Sequence, residues 1–322
     1  TLRQYLNICV SDVRINQGQL AMVQHQNTFD TVEQNYGVDR HIVAAIWGME
    51  TNYGKIRGSI PVLSALATLA HSGRRRALFE SQLLAALDIV QRGIRAPNDM
   101  IGSWAGAMGH TQFMPTSYRD FAVSLNNGMP NIWSDDPGDA LASTAHYLTC
   151  HGWVKDRPWG KQAIWGQNVD LHSARHSDAQ SLADWTSTDV TPIGQAEGEF
   201  AFILPGGIGA PAFLVTENYR ALLAYNNAAA YAVAVGHLAD RLAGGSDFEH
   251  SWNCDHRGLT QAEVQQVQIR LTALGFDTQG SDGFPGPNTS YAVEAYQVDQ
   301  NLPVDGFVGL KLLTHLGCAG ES

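Results

Sequence analysis

The stretch AGGSDFEHSWNCDHRG, Ala243 to Gly258, restricts the fold more than any other part of the sequence. It is rich in Gly, Ser, Asp and Asn and has no apolar period, so it reads as a linker. It divides the chain into a large unit, 1–243, a linker, 244–258, and a short C-terminal segment, 259–322. The chain has 322 residues, of which 44% are hydrophobic. That is enough for a sizeable core and fits an ordinary globular protein. No apolar run approaches the roughly 20 residues a membrane helix needs. Net charge is −11, and the one tight basic run is Arg74-Arg75-Arg76. A nucleic-acid binder shows the opposite balance. No signal peptide is visible, which leaves a cytosolic chain or the trimmed form of an exported one.

The large unit reads as mainly helical. QGQLAMVQHQNTFDTVEQNYG has helical apolar spacing and stops at Gly37. VDRHIVAAIWGMETNYG starts a helix at the N-cap Asp39 and ends it near Gly54. PVLSALATLAH, RALFESQLLAALDIVQRG, DPGDALASTAHYLTCHG and YNNAAAYAVAVGHLADRL supply four more. From about residue 155 to 215 the pattern changes. AEGEFAFILPGG and PAFLVTENY read as extended segments with Gly and Pro turns, which implies a small β-containing lobe.

The C-terminal segment carries a short repeat. DGFPG begins at Asp282 and DGFVG at Asp305, each after a helical stretch. A compact three-helix domain of this size needs a staple, and a Cys254–Cys318 disulfide would tie its ends. By elimination Cys9 would then pair with Cys150. The absence of a CxxC pair argues against a common structural zinc site.

In AAIWGMETNYG, Ala44 to Gly54, one residue is out of place. With Ile42 at zero on a helical wheel, Ile46 falls near about 40°, Met49 near about 340° and Glu50 near about 80°. Glu50 therefore points with the apolar stripe. Burial there disfavours its charged form, and a Glu that keeps its proton near neutral pH is a general acid. The alternatives are a buried Glu paired with Arg or Lys, and a helix end that reaches water. GSWAGAMGHTQFMPTSY, Gly102 to Tyr118, combines small residues with amide, aromatic and thioether side chains. That mixture suits a sugar, whose apolar faces stack and whose hydroxyls take amides. A Gly-rich turn packed into the core is the other reading.

WGMETNYG, GSWAGAMGHTQFMPTSY, AHYLTCHGW and YNNAAAYAVAV occur in the order and at the spacings seen in the lytic transglycosylase B family of bacterial cell-wall enzymes, which this chain resembles over most of residues 1–242. VQQVQIRLTALGF, DGFPGPNTSYAVEAYQ and LPVDGFVG resemble the type 1 peptidoglycan-binding domain. The resemblance implies a lysozyme-like helical catalytic domain and a periplasmic protein, soluble or with its anchor removed. The implied activity is cleavage of the β-1,4 bond between N-acetylmuramic acid and N-acetylglucosamine, with a 1,6-anhydro sugar as product and no cofactor. Glu50 falls on the single catalytic acid and base. Ser103 and Gln112 fall on sugar contacts, Phe113 and Met114 on the cleft floor, and Tyr147, Tyr225, Asn226 and Tyr231 on cleft residues.

Arg75 and Arg76 match a basic pair that would meet carboxylates of muramate or stem peptide; a solvated helix face is the other reading. The implied partners are glycan strands and their stem peptides, bound by a monomer. Some members carry a calcium loop, but SLNNGMPNIWSDDPGDA lacks alternating acidic ligands, so no metal is expected and Asp135, Asp136 and Asp139 read as a helix start. A hydrolytic muramidase would need a second carboxylate, and none is evident near these blocks. A catalytically idle wall-binding protein is the third reading.

Overall fold

Three helices open the chain, α1 (Leu2–Cys9), α2 (Asp12–Gln24) and α3 (Gln26–Tyr36), followed by α4 (Arg40–Thr51). The computed structural model describes residues 1–72, 75–166, 169, 171, 178–249, 252 and 257–318. The single stretch expected before Gly37 is two helices, broken at His25. Asp39 caps α4 by accepting the His41 backbone N–H at 2.7 Å. Asn52, in the left-handed conformation, ends it. Eight of its twelve residues are buried, so α4 runs through the core.

After α4 come β1 (Ile60–Pro61), α5 (Val62–Ser72), α6 (Arg76–Gln91), β2 (Ile101–Gly102), α7 (Pro115–Phe121) and α8 (Gly138–Cys150). β1 and β2 pair antiparallel, with Ile60 opposite Gly102. Around them Val62, Leu66, Ile89, Met100, Met108, Phe113 and Ile132 form one buried cluster.

The lobe expected at 155–215 contains β3 (Gly160–Trp165), β4 (Gln180–Ser181), α9 (Leu182–Ser187), β5 (Val190–Pro192), β6 (Glu199–Ile203) and β7 (Ala212–Val215). The strands form an antiparallel sheet in the order β4-β6-β7-β3-β5. Trp185 fills its core beside Phe200 and Phe202, and its indole N–H donates to the Phe200 carbonyl at 2.7 Å. That bond satisfies the one polar atom the buried ring brings with it.

The chain then makes α10 (Glu217–Tyr225), whose first residues the sequence reads as extended, and α11 (Ala229–Leu242), the last helix expected from the sequence in this unit. α11 is buried from Tyr231 to Ala239 and packs on α2 and α4. Two glycines permit this approach. A Cβ on Gly18 would overlap the Tyr53 hydroxyl and Leu242, and one on Gly48 would sit 2.6 Å from the Tyr53 ring.

The C-terminal segment is a three-helix fold: α12 (Gln261–Ala273), α13 (Pro287–Asp299) and α14 (Leu310–His315) around Val267, Leu271, Val293, Leu312 and Leu313. Thr260 and Glu263 form a complete capping box at its start. The DGF repeat has a structural basis. Gln268 of α12 accepts the Gly283 N–H at 2.8 Å and donates to Asp282 at 3.2 Å. Gln297 of α13 accepts the Gly306 N–H at 2.9 Å and donates to Asp305 at 2.8 Å. Each helix thus uses both ends of one amide to hold the loop that follows it.

The described chain divides into two compact units. One gathers Cys9–Arg157 and Arg220–Ser246, and the other Thr1–Ile8, Pro158–Tyr219 and Asp247–Ser322. The second unit therefore joins the lobe and the C-terminal module. Phe248 packs edge-on against Phe213 at 5.0 Å, and the Ile208 N–H donates to Asp305 at 3.2 Å.

The expected Cys9–Cys150 disulfide is absent. Cys9 is a buried thiol at the end of α1, and Cys150 is an exposed thiol 3.4 Å from His146 Nε2. One side chain faces a core and the other faces solvent, so elimination gave the wrong pair. Cys254 lies outside the described residues, so the Cys254–Cys318 pairing does too; Cys318 carries a free thiol here.

Candidate active site

Glu50 is the penultimate residue of α4 and is half-buried. Its Oε1 accepts the Tyr231 hydroxyl at 2.6 Å, from the first turn of α11. Burial pushes the Glu50 carboxyl up to about 7, and the Tyr231 hydrogen bond opposes that rise. No Arg, Lys or second carboxylate acts on Glu50 among the described residues. The ion-paired alternative is therefore set aside. What stands at the end of α4 is an acid that holds its proton near neutral pH and has one oriented oxygen.

Tyr225 closes α10 and donates to the Thr111 carbonyl at 2.6 Å. Burial holds its phenol well above the ordinary value, and the Glu50 charge adds to that. Tyr147 of α8 donates to the Ala224 carbonyl at 2.8 Å and stands edge-on to Tyr225 at 5.2 Å. Phe113 lies 5.9 Å from Tyr147 and 6.1 Å from Tyr225, but it is a core residue, 2% exposed. It supports the tyrosines from below. Met114 is half-buried at the start of α7. Asn226 is exposed between α10 and α11.

The Gly102–Tyr118 block is held by its own backbone. The Ser103 hydroxyl accepts the Ala107 N–H at 3.0 Å, and Met108 and Phe113 exchange backbone bonds at 2.8 and 2.9 Å. Gln112 adopts φ 52°, a strained value for a residue with a Cβ, and donates to the Gly109 carbonyl at 3.0 Å. Arg75 and Arg76 are exposed at the start of α6, and Arg76 is paired with Glu80 at 2.7 Å. The structure brings Glu50, Tyr231 and Tyr225 together. It gives the two arginines no contact with that group.

Four residues that anchor the site were not singled out from the sequence. Thr51, next to Glu50, donates to the His110 carbonyl at 2.5 Å. Trp47, one turn earlier, donates its indole N–H to His110 Nδ1 at 3.1 Å. His110 Nε2 faces the Ser134 carbonyl at 2.8 Å, which places the ring proton on Nε2. Acceptance of the Trp47 N–H at Nδ1 requires a neutral ring, and burial lowers the His110 pKa in the same direction. Arg57 donates to the Trp133 and Ser134 carbonyls at 3.1 and 2.8 Å and pairs with Asp135 at 2.9 Å. The end of α4 is thereby tied to the Gly102–Tyr118 block. Apart from the His110–Ser134 contact, 24 positions apart, these link residues more than 50 positions apart, which no local pattern announces.

The acidic residues before α8 are engaged in building its loop. Asp139 accepts the Leu125 and Asn131 N–H groups at 2.9 and 2.8 Å, and Asp136 accepts that of Gly138 at 3.1 Å.

A proton-holding glutamate near the end of a buried helix, bonded to one tyrosine and close to a second, fits a glycan-cleaving enzyme of the lysozyme-like helical class. Residues 1–240 match the family described as Transglycosylase SLT domain, and the chain belongs to it. Residues 260–316 match the family described as Putative peptidoglycan binding domain. The membrane-bound lytic murein transglycosylase B of Escherichia coli (strain K12) is 33% identical over 245 residues, which cover 74% of this chain and 67% of that protein. SltB3 from Pseudomonas aeruginosa, solved in complex with NAG-anhNAM-pentapeptide, is 40% identical with a TM-score of 0.90. That match covers 98% of this chain and 86% of SltB3. Soluble lytic transglycosylase SltB1 from the same organism is 33% identical with a TM-score of 0.67, over 74% of this chain and 82% of its own.

Proposed function

We propose that this chain is a lytic transglycosylase that cuts the β-1,4 bond between N-acetylmuramic acid and N-acetylglucosamine in peptidoglycan, with Glu50 as acid and then as base. The supporting observation is the Glu50 carboxyl near pH 7 with Tyr231 on one oxygen and no second carboxylate acting on it among the described residues. Tyr231 fixes Oε1 as an acceptor, so the proton resides on Oε2. Oε2 protonates the glycosidic oxygen, the C1–O bond breaks, and the N-acetylglucosamine 4-hydroxyl leaves. The substrate's own acetamido oxygen meets the positive charge at C1. The resulting carboxylate takes the proton of the muramyl 6-hydroxyl as that oxygen bonds to C1. Glu50 ends protonated as it began, and no water is consumed.

Around the scissile bond we assign Ser103, Gln112, Met114, Tyr147, Tyr225 and Asn226 to the glycan, with Phe113 beneath them. Arg75 and Arg76 are assigned to carboxylates of muramate or stem. We read 1–243 as the cutting domain, 244–258 as the linker and 259–322 as the wall-binding module. The substrate places the protein in the periplasm, where it acts as a monomer. An acidic chain on an anionic polymer gains nothing from net charge, so attachment depends on local contacts and on two sites in one chain.

Mass spectrometry of products from purified peptidoglycan tests the reading. Fragments ending in 1,6-anhydromuramic acid, one water lighter than reducing ends, are expected. Reducing ends would make the enzyme a hydrolytic muramidase instead.

A further inference from the structure

Within the unit that joins lobe and C-terminal module, a cavity of about 310 Å³ opens beside the loop at Gly206–Ile208. That volume lies at the small end of ligand sites, which run from roughly 300 to 1,000 Å³. Ile208, Leu302, Phe307 and Leu312 give it apolar walls, and Lys311 and His315 line it as well. Gln297 and Asp305 also face it, but their polar atoms are already used. Asp305 accepts from Gln297 at 2.8 Å, from the Phe307 N–H at 3.0 Å and from the Ile208 N–H at 3.2 Å. Gln297 accepts the Asp305 and Gly306 N–H groups at 3.1 and 2.9 Å.

The polar side-chain groups left for a ligand are chiefly the Lys311 ammonium, which only donates, and the His315 ring. Both residues are exposed, and the His315 ring stands edge-on to Tyr296 at 5.8 Å. From 259 to 318 the basic residues are Arg270 and Lys311, against Glu263, Asp277, Asp282, Glu294, Asp299 and Asp305. One of only two cations in an acidic module thus lines its apolar cavity. A sugar needs several acceptors as well as donors for its hydroxyls; with the carboxylate and the amide oxygen engaged, the side-chain acceptor left here is a His315 ring nitrogen. A carboxylate is an acceptor only, and small apolar side chains suit the walls.

We infer that this cavity binds the carboxylate end of a short peptide with small apolar side chains, the chemistry of a peptidoglycan stem. The inference rests on peptidoglycan being the substrate, and it assigns the peptide a site built jointly by module and lobe. An ion pair with Lys311 beside the apolar walls distinguishes the free carboxylate from its amide.

The test is calorimetric titration of the full chain with a free stem pentapeptide ending in D-alanine, and with the same peptide amidated at its C-terminus. Saturable binding of the acid is expected, with at least a tenfold loss on amidation and a similar loss in Lys311→Glu. Ile208→Trp, which fills the cavity and leaves the cation alone, should also weaken binding. No binding at millimolar peptide, equal binding of acid and amide, or unchanged binding in both variants would overturn the assignment. Product analysis on purified peptidoglycan, run on the same samples, separates the two readings. Anhydro products without peptide binding remove the cavity's role alone, whereas missing anhydro products remove the proposed function.

Discussion

Replacing Tyr231 with Phe removes one hydroxyl and leaves the buried ring in place. The group lost is the 2.6 Å donor to Glu50 Oε1, which opposes the upward push of burial on that carboxyl. A hydrogen bond to a charged group is worth about 1.5–3 kcal/mol. At 1.36 kcal/mol per tenfold, that is roughly a 10- to 150-fold change in the acid's ionisation constant. The direction follows from which form the bond favours. The hydroxyl stabilises the carboxylate, so without it Glu50 keeps its proton to higher pH. On the proposed mechanism the falling limb of kcat/KM is expected near pH 7, where Glu50 loses its proton. In Tyr231→Phe that limb should move upward by about one to two pH units. The plateau should drop, because the carboxyl is no longer held in one orientation. The assay is the initial rate of release of soluble muropeptides, measured across neutral pH with both proteins. A limb that stays in place while the rate falls would refute the reasoning. Tyr231 would then act on the substrate and not on the Glu50 ionisation.

Three further changes probe the same architecture. Glu50→Gln should abolish cleavage and raise stability above neutral pH. The folded protein keeps the Glu50 proton up to about 7 while an ordinary Glu loses it near 4.5, so the native chain loses stability as pH rises through that window. Gln escapes the loss, worth about 1–3 kcal/mol after allowing for partial exposure, and its melting temperature should exceed the native value at pH 8 and match it at pH 4. His110→Ala strips partners from the Trp47 indole N–H and the Ser134 carbonyl; it should cost about 2–4 kcal/mol in denaturant unfolding and lower kcat, with Asn or Gln recovering part of both. Gly18→Ala puts a methyl group where the Tyr53 hydroxyl and Leu242 sit, so a loss of about 1–3 kcal/mol is expected by the same measurement.

Much of the site was legible because its signals are local. Glu50 departs from the apolar stripe of its own helix, and Asp39 marks where that helix begins. The DGF repeat was visible as letters, and the two glutamines that explain it lie on the helices just before each copy. Other features are hidden because their cause is distant. His110 matters through Trp47, Thr51 and Ser134, which are brought to it only by folding. The break at His25 carries no Pro or Gly, so an unbroken apolar period reads through it. The lobe's sheet order places β3 between β5 and β7, a pairing that alternating segments alone do not specify. Composition marks a break at 244–258, and a boundary between the compact units falls there, after Ser246; what composition does not announce is that the module then groups with the lobe, through Phe248 on Phe213 and the Ile208 N–H on Asp305.

The position of Glu50 along α4 has a consequence of its own. A helix carries roughly half a negative charge at its C-terminal end, from carbonyls that lack intrahelical donors. Glu50 sits one residue from that end, where the backbone itself repels a carboxylate and favours the neutral acid. The same side chain placed in the first turn would be drawn toward ionisation. The direction in which the chain runs through α4 therefore favours the protonated form of this side chain, the form the proposed mechanism requires at its first step.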